Sequence, residues 1–135
     1  MKRLLTKAEF NKNPRVFKVT KCPHNCATCD ILTEGNSITF KSTQETFYVK
    51  SDFSCVSKNL VYVISCYGCG NQYIGTTGGE LRLRMNVHRQ QIRTETLRVL
   101  AVSKHIFKCG NGNFKVFPFY KINNLNSALR EAKEQ

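Results

Sequence analysis

Four side chains suited to phosphate chemistry occur at regular spacing in the middle of the sequence. Tyr62 and Tyr73 are eleven residues apart, and Arg84 follows Tyr73 by the same distance. His88 comes four residues later, so it lies one helical turn from Arg84. A guanidinium can donate two hydrogen bonds to the spread charge of a phosphoryl transition state. A tyrosine, with an ordinary pKa of about 10, becomes a base only where a metal, a cation or a relay such as histidine stabilises its phenolate.

A predicted hairpin and a predicted helix carry these four side chains. Residues 60–64 form a buried-strand pattern, residues 72–75 a second strand, and the short segment between them suits a tight antiparallel connection. Residues 80–93 predict a helix whose inward face recurs at helical spacing, namely Leu81, Met85, His88 and Ile92. Singly, such tyrosines, arginines and histidines are common as ordinary structural residues. Their joint spacing favours the chemical interpretation.

The rest of the chain alternates short strands and helices. Residues 37–40 and 46–50 have the β-branched and aromatic character of strands. A short helix is expected over about residues 97–107, a strand over 114–122, and a last helix near Asn126. We therefore expect an α/β (α+β) fold, with a small mixed sheet flanked by helices and preceded by a cysteine-rich, zinc-knuckle-like extension.

The seven cysteines and one histidine can be divided into two complete sets of zinc ligands. Their odd number and close pairing favour metal binding over a disulfide framework. Structural zinc takes four Cys or His ligands, often in pairs separated by two to four residues. The first set is Cys22, Cys26, Cys29 and Cys55; the second is Cys66, Cys69, His105 and Cys109. Two alternatives remain: some cysteines are merely buried small hydrophobic residues, or His24 replaces one ligand of the first set.

The charge of the chain indicates a polyanionic partner. Twenty-one Lys and Arg against nine Asp and Glu give a net charge of +12, and each phosphate that such a surface neutralises releases counterions. Nucleic acid is therefore favoured over other acidic partners. No apolar run approaches the roughly 18–20 residues that cross a bilayer, and the N-terminus lacks the longer apolar stretch of a signal peptide. We expect a soluble intracellular protein without a membrane partner.

The motifs resemble those of the GIY-YIG endonuclease family. The resemblance is carried by Val61-Tyr62, by Tyr73-Ile74-Gly75, and by Arg84 followed by His88. The cysteines between the two tyrosine motifs and the ligand pair after them are more specifically similar to the endonuclease domain of Penelope-like retroelements. The upstream cysteines agree with that domain, so the resemblance extends from about residue 22 to the C-terminus. Leu60 stands where the family has glycine, and Cys109 where it has histidine.

The resemblance implies roles for individual residues. Tyr73, and by the same resemblance Tyr62, would help to deprotonate the attacking water, while Arg84 would brace the scissile phosphate. His88 is interpreted as a relay or second base. The family also places a glutamate on a later helix to hold Mg²⁺ or Mn²⁺, and the match favours Glu134, with Glu131 as the alternative. Because the sequence ends at Gln135, we expect the nuclease domain to be truncated at its C-terminus.

The sequence thus predicts three regions and a leading function. Residues 1–21 are interpreted as a basic arm, 22–56 as a cysteine-rich knuckle and hairpin, and 57–135 as the GIY-YIG nuclease domain. The expected function is metal-dependent nicking of DNA by a retroelement-derived enzyme, with RNA as a further partner in a retroelement complex. Nuclear location follows from that substrate. The alternative is a catalytically inactive, zinc-stabilised module that binds nucleic acid.

Overall fold

The computed structural model describes residues 16–122, which form a mixed α/β fold with two helices and two small antiparallel sheets. The elements are β1 (Ser37–Thr39), β2 (Thr46–Tyr48), β3 (Leu60–Cys66), β4 (Gln72–Thr77), α1 (Leu81–Arg93), α2 (Ala101–Cys109) and β5 (Phe114–Lys121). Single 3₁₀ turns occupy Ala27–Asp30 and Glu95–Leu97. The helix expected near Asn126, the alternative metal ligands Glu131 and Glu134, and most of the expected basic arm lie outside the described residues.

A three-stranded antiparallel sheet in the order β4-β3-β5 forms the centre of the fold. The expected hairpin is present, with Tyr62 opposite Gly75 and Ile64 opposite Tyr73. β5 begins opposite Cys66, close to the end of α2, and therefore runs back antiparallel to β3. We expected a mixed sheet, but the named strands of residues 16–122 pair only in the antiparallel sense. Parallel pairing there is limited to single bridges, such as that between Leu32 and Val116.

The two helices pack by the apolar faces that the sequence provides. The inward residues of α1 are those expected from its periodicity: Leu81, Met85, His88 and Ile92. α2 begins about four residues later than expected, after an irregular segment that includes Arg98. The Arg98 guanidinium donates a 2.7 Å hydrogen bond to the Ile92 carbonyl and lies 3.6 Å from the centre of the Phe107 ring. This side chain therefore joins the end of α1 to α2.

The N-terminal region packs against the same core. Val19 is fully buried and pairs with Gly35 and Phe53, so the described end of the expected basic arm contacts the cysteine-rich region. In the small β1–β2 sheet, the Phe47 ring packs edge-to-face against Phe119 of β5. Within the described part of the chain, neither helix has the length and apolar character needed to cross a membrane.

Candidate active site and metal centres

Three of the four residues singled out for phosphate chemistry meet at the interface of β3 and α1. The Tyr62 hydroxyl oxygen lies 2.8 Å from Nε2 of His88 and 3.4 Å from Nε of Arg84. The rings of Tyr62 and His88 meet edge-on at 5.9 Å between their centroids. Tyr62 and His88 are both buried, whereas Arg84 is half-buried and forms the solvent side of the group. Arg84 and His88 follow Tyr62 by 22 and 26 residues in the sequence, and the three side chains form one hydrogen-bonded cluster.

Burial determines which atom of this cluster holds the proton. Desolvation, with a smaller contribution from the Arg84 charge, lowers the pKa of His88 to about 4, so its ring is neutral near pH 7. Desolvation raises the pKa of Tyr62 and outweighs the opposing hydrogen bond and charge of Arg84. The Tyr62 hydroxyl therefore donates to Nε2 of His88, and Arg84 Nε donates to the Tyr62 oxygen. Tyr62 is protonated at rest, and the neutral ring of His88 accepts its hydrogen bond.

Tyr73 lies on the same face of the sheet as Tyr62 but has different neighbours. In the strand register it is a diagonal cross-strand neighbour of Tyr62, because Tyr62 faces Gly75, two residues further along β4. Its ring lies 5.9 Å from the ring of His105. It also lines a cavity of about 380 Å³ whose other walls include Phe40 and Lys41. Tyr73 is therefore half-exposed at the rim, between the Tyr62 cluster and the second set of zinc ligands.

Gly75 belongs to the sequence motif, but the sequence alone did not indicate a physical role for it. A methyl group at this position would lie 2.7 Å from the Cζ and hydroxyl oxygen of Tyr62, well inside van der Waals contact. The tyrosine ring thus crosses directly over the backbone of β4, and only glycine leaves room for it. A glycine in a strand interior is the sequence signal for such a close approach.

Replacing Gly75 with alanine should therefore displace the Tyr62 ring. We expect the free energy of unfolding to fall by about 1–3 kcal/mol, the usual cost of overpacking a buried contact. Denaturant titration measures this loss. Gly79→Ala is the matched control, because a methyl group there meets no atom within 4 Å. Equal stability of the two variants would show that Tyr62 does not pack against Gly75.

His88 should make stability depend on acidity in a defined range. The unfolded chain gains a proton on this histidine below its ordinary pKa of about 6.5, whereas the folded protein resists protonation until about pH 4. Stability should therefore fall as the pH is lowered through this range. The comparison is with His88→Gln, which can still accept the Tyr62 hydrogen bond but cannot titrate. The wild type should lose more stability than the variant between pH 7 and pH 4; parallel curves would exclude a buried neutral histidine.

The first set of cysteines converges as one candidate zinc centre. Four sulfurs bound to a single zinc at about 2.3 Å are about 3.8 Å apart, whereas a disulfide would bring two sulfurs to about 2.05 Å. The Sγ of Cys22 lies 3.6 Å from those of Cys26 and Cys29, and Cys29 lies 3.6 Å from Cys55. All four ligand atoms lie within 4.8 Å of one another, and every cysteine is free. The geometry and the donor set fit a tetrahedral zinc ion. His24 is exposed and does not belong to this group.

This first centre also supports α1. The helix has no side-chain cap at its N-terminus. Instead, the backbone N–H groups of Leu81 and Arg82 donate to the carbonyl oxygens of Ser57 and Cys55, at 3.0 and 2.7 Å. A ligand of the first centre therefore holds the start of the helix that carries Arg84.

The second set joins the β3–β4 turn to the end of α2. The ligand atoms of Cys66, Cys69, His105 and Cys109 lie within 4.8 Å of one another, with Cys69 Sγ 3.2 Å from Nε2 of His105. Gly68 lies directly against the backbone of Cys109, so a side chain there would push the turn away from the helix. Cys69 and Cys109 are exposed, whereas no cysteine of the first centre is exposed. This second group can also hold a zinc ion.

Each set contains one thiol whose pKa is lowered, so that it ionises more readily than an ordinary cysteine. A backbone hydrogen bond from Cys26 lowers the pKa of Cys22 to about 6, and one from Asn71 does the same for Cys69. The thiolate is the form of cysteine that binds metal. Burial raises the pKa of Cys29 and Cys55, and hydrogen bonds with Cys69 and Cys66 raise that of Cys109. The residues present thus supply the donor atoms and the geometry that zinc requires.

No family model, curated protein or solved structure matches this chain. The functional assignment therefore depends on the geometry of its own residues.

Proposed function

We propose that the chain is a metal-dependent endonuclease of the GIY-YIG type that nicks DNA. The observation that carries the proposal is the cluster in which the Tyr62 hydroxyl bonds to both His88 and Arg84, at 2.8 and 3.4 Å. A buried neutral histidine, a tyrosine and a half-buried arginine supply a proton acceptor, a relay and a phosphate brace in one place. The net charge of +12 favours a polyanionic substrate.

The hydrogen bonds suggest a path for the proton of the attacking water. As the water oxygen bonds to phosphorus, its proton passes to the Tyr62 oxygen, while the hydroxyl proton of Tyr62 passes to Nε2 of His88. His88 is then a short-lived imidazolium, which its low pKa causes to release the proton to solvent, and Tyr62 is neutral before and after the step. Tyr73, at the rim of the same sheet face, orients the water. The bond from phosphorus to the 3′ oxygen breaks, and that oxygen leaves as a hydroxyl after taking a proton from solvent.

Arg84 braces the phosphate in this scheme. Its Nε donates to the Tyr62 oxygen at 3.4 Å, while its terminal nitrogens have no hydrogen-bond partner among residues 16–122. These nitrogens are the donors that a phosphate oxygen needs. A Mg²⁺ or Mn²⁺ ion held by Glu134, or by the alternative Glu131, would neutralise charge on the phosphate and the leaving oxygen. Zinc ions bound by the two cysteine groups would have a structural role.

The biological setting follows from the resemblance of the motifs. We propose a retroelement origin close to the Penelope-like endonucleases, action on nuclear DNA, and RNA as a further partner in the retroelement complex. The alternative function is a zinc-stabilised module that binds nucleic acid without cutting it. The basic charge and the two metal centres agree equally well with both, so cleavage must be measured directly.

A plasmid-nicking assay with Mg²⁺ or Mn²⁺ tests the proposal. The wild type should convert supercoiled DNA to the nicked form, and leaving out both Mg²⁺ and Mn²⁺ should stop it. Tyr62→Phe and Tyr73→Phe should each lower the rate about 10²- to 10⁴-fold, the usual contribution of a proton-transfer group. Tyr120→Phe is the control, since Tyr120 is exposed on β5, outside the cluster. DNA binding with no nicking by the wild type would favour the inactive module.

A further inference from the structure

A second cavity rich in hydrogen-bond donors lies on the other flank of α1. Its volume is about 260 Å³, and its walls include Arg89 and Arg93 from the helix and Asn111 and Asn113 from the loop after α2. Arg89 and Arg93 are one helical turn apart and follow Arg84 by five and nine residues. At 100° per residue they lie on the opposite side of the buried seam from Arg84. The cavity is therefore separate from the Tyr62 cluster.

The charges of this cavity have no counter-ion in the described residues. Within 16–122 no carboxylate lies within ion-pairing distance of Arg89 or Arg93. The Arg89 guanidinium is held by neutral oxygens, at 2.6 Å from Asn86 and 3.3 Å from Thr28. Burial and the neighbouring Arg93 charge lower the pKa of Arg89, against opposing effects of Cys26 and Asp30. An anion in the cavity would relieve that repulsion.

The loop after α2 adds neutral donors to the two charges. Asn111 has a left-handed backbone, with φ of 55°, and Gly112 follows with φ of 85°, so the chain turns sharply at the cavity wall. The side-chain amides of Asn111 and Asn113 take part in no hydrogen bond within the described region. Two guanidinium groups and two free amides form a set of donors that suits an oxygen-rich anion.

We infer that this cavity binds a backbone phosphate of the DNA, one other than the phosphate that is cut. The inference rests on the proposed DNA substrate but does not require cleavage. Arg84 and the Arg89–Arg93 pair then contact the backbone on the two flanks of α1, while the exposed face of the helix lies between them. Such contacts position a duplex without reading its sequence. Arg89 also holds Thr28 beside the first zinc centre, so DNA contact and the cysteine-rich region meet at this cavity.

Salt-dependent DNA binding by the Arg93→Ala variant tests this inference. Affinity for a short fluorescent duplex is measured by anisotropy over a series of KCl concentrations, with Mg²⁺ and Mn²⁺ left out to prevent cleavage. Because each lost phosphate contact lowers the slope of log affinity against log salt by about 0.9, the variant should show that reduction and bind roughly 5- to 10-fold more weakly. Arg93 is exposed and makes no side-chain bond that the fold requires, so the variant should keep its zinc and its stability.

Two further variants separate a specific contact from a general loss of charge. Lys104→Ala removes one positive charge from an exposed position on α2 and should leave the slope unchanged. Arg93→Lys should restore the slope with only part of the affinity. An unchanged slope in Arg93→Ala, or an equal loss in Lys104→Ala, would overturn the inference even if the wild type nicks DNA. Conversely, the expected slope change in a protein that never nicks would support the inference and contradict only the proposed cleavage.

Discussion

Cys55→Ser should remove one of two zinc ions from the protein and lower its stability severely. Cys55 is fully buried, its Sγ lies 3.6 Å from that of Cys29, and its carbonyl accepts the Arg82 N–H at the start of α1. Structural zinc contributes an apparent binding free energy on the order of 10–16 kcal/mol, which is largely folding free energy in a small domain. We expect the free energy of unfolding to fall by more than about 4 kcal/mol. Elemental analysis and denaturant titration measure the two effects.

The second centre provides an internal comparison. Cys69→Ser should also remove one zinc ion, but Cys69 is exposed at the edge of the fold, so its loss should be less damaging than that of Cys55. His24→Ala is the control, because His24 lies outside both ligand groups and should leave two zinc ions bound. Folded wild-type protein without zinc would exclude both centres. One zinc ion in the wild type, lost only with Cys55→Ser, would restrict the assignment to the first.

The ligand sets were predictable because their information is local. A CxxC spacing places two sulfurs on one turn whatever surrounds it, and an HxxxC pair does the same at a helix end. The two pairs of the second set could be combined once residues 60–75 were interpreted as a hairpin. Which second pair of ligands joins a given first pair depends on long-range packing. In the second set, Gly68 makes this packing possible because it lets the β3–β4 turn touch the Cys109 backbone.

The helical and strand elements were predictable where periodicity was strong. α1 buries the four positions that the sequence indicated, and β5 ends within one residue of its expected limit. The start of α2 was misplaced because Leu97 to Leu100 have helical propensity, whereas contacts of the Arg98 side chain with Ile92, Arg93 and Phe107 help to hold that segment in another conformation. The antiparallel direction of β5 relative to β3 could not be predicted either, because it depends on where α2 ends.

The chemistry of the tyrosine cluster required burial that spacing cannot provide. The sequence suggested that Tyr62 would need a stabilised phenolate, but burial raises the pKa of its hydroxyl and lowers that of His88. Because the two pKa values shift in opposite directions, the tyrosine is the donor of their hydrogen bond and the histidine is its acceptor. In the proposed mechanism, the role of Tyr62 therefore changes from base to relay. Spacing indicated which residues could meet, while burial in the core determines that the tyrosine donates the hydrogen bond and the histidine accepts it.

Arg84→Ala should lower the nicking rate about 10³-fold or more while leaving the fold intact. Loss of one preorganised donor to a developing anion costs about 10²- to 10³-fold, and arginines that stabilise a transferring phosphoryl group contribute about 10³- to 10⁵-fold. Arg84 is half-buried and carries no core packing comparable to that of Leu81 or Met85, so zinc content and stability should change little. Single-turnover nicking at saturating enzyme separates this loss of rate from any loss of DNA affinity.

Arg84→Lys distinguishes geometry from charge. Lysine keeps the positive charge, but one ammonium group cannot both hold the Tyr62 oxygen, which lies 3.4 Å from Nε of Arg84, and present two parallel donors to a phosphate. We therefore expect a loss of about 10²-fold. Arg82→Lys on the same helix is the matched control, because Arg82 pairs with Glu80 at 2.6 Å and lysine can keep that contact. If Arg84→Lys nicks as fast as the wild type, the arginine acts only as a charge. If Arg84→Ala does so, Arg84 does not brace the phosphate and the cluster with Tyr62 and His88 is structural.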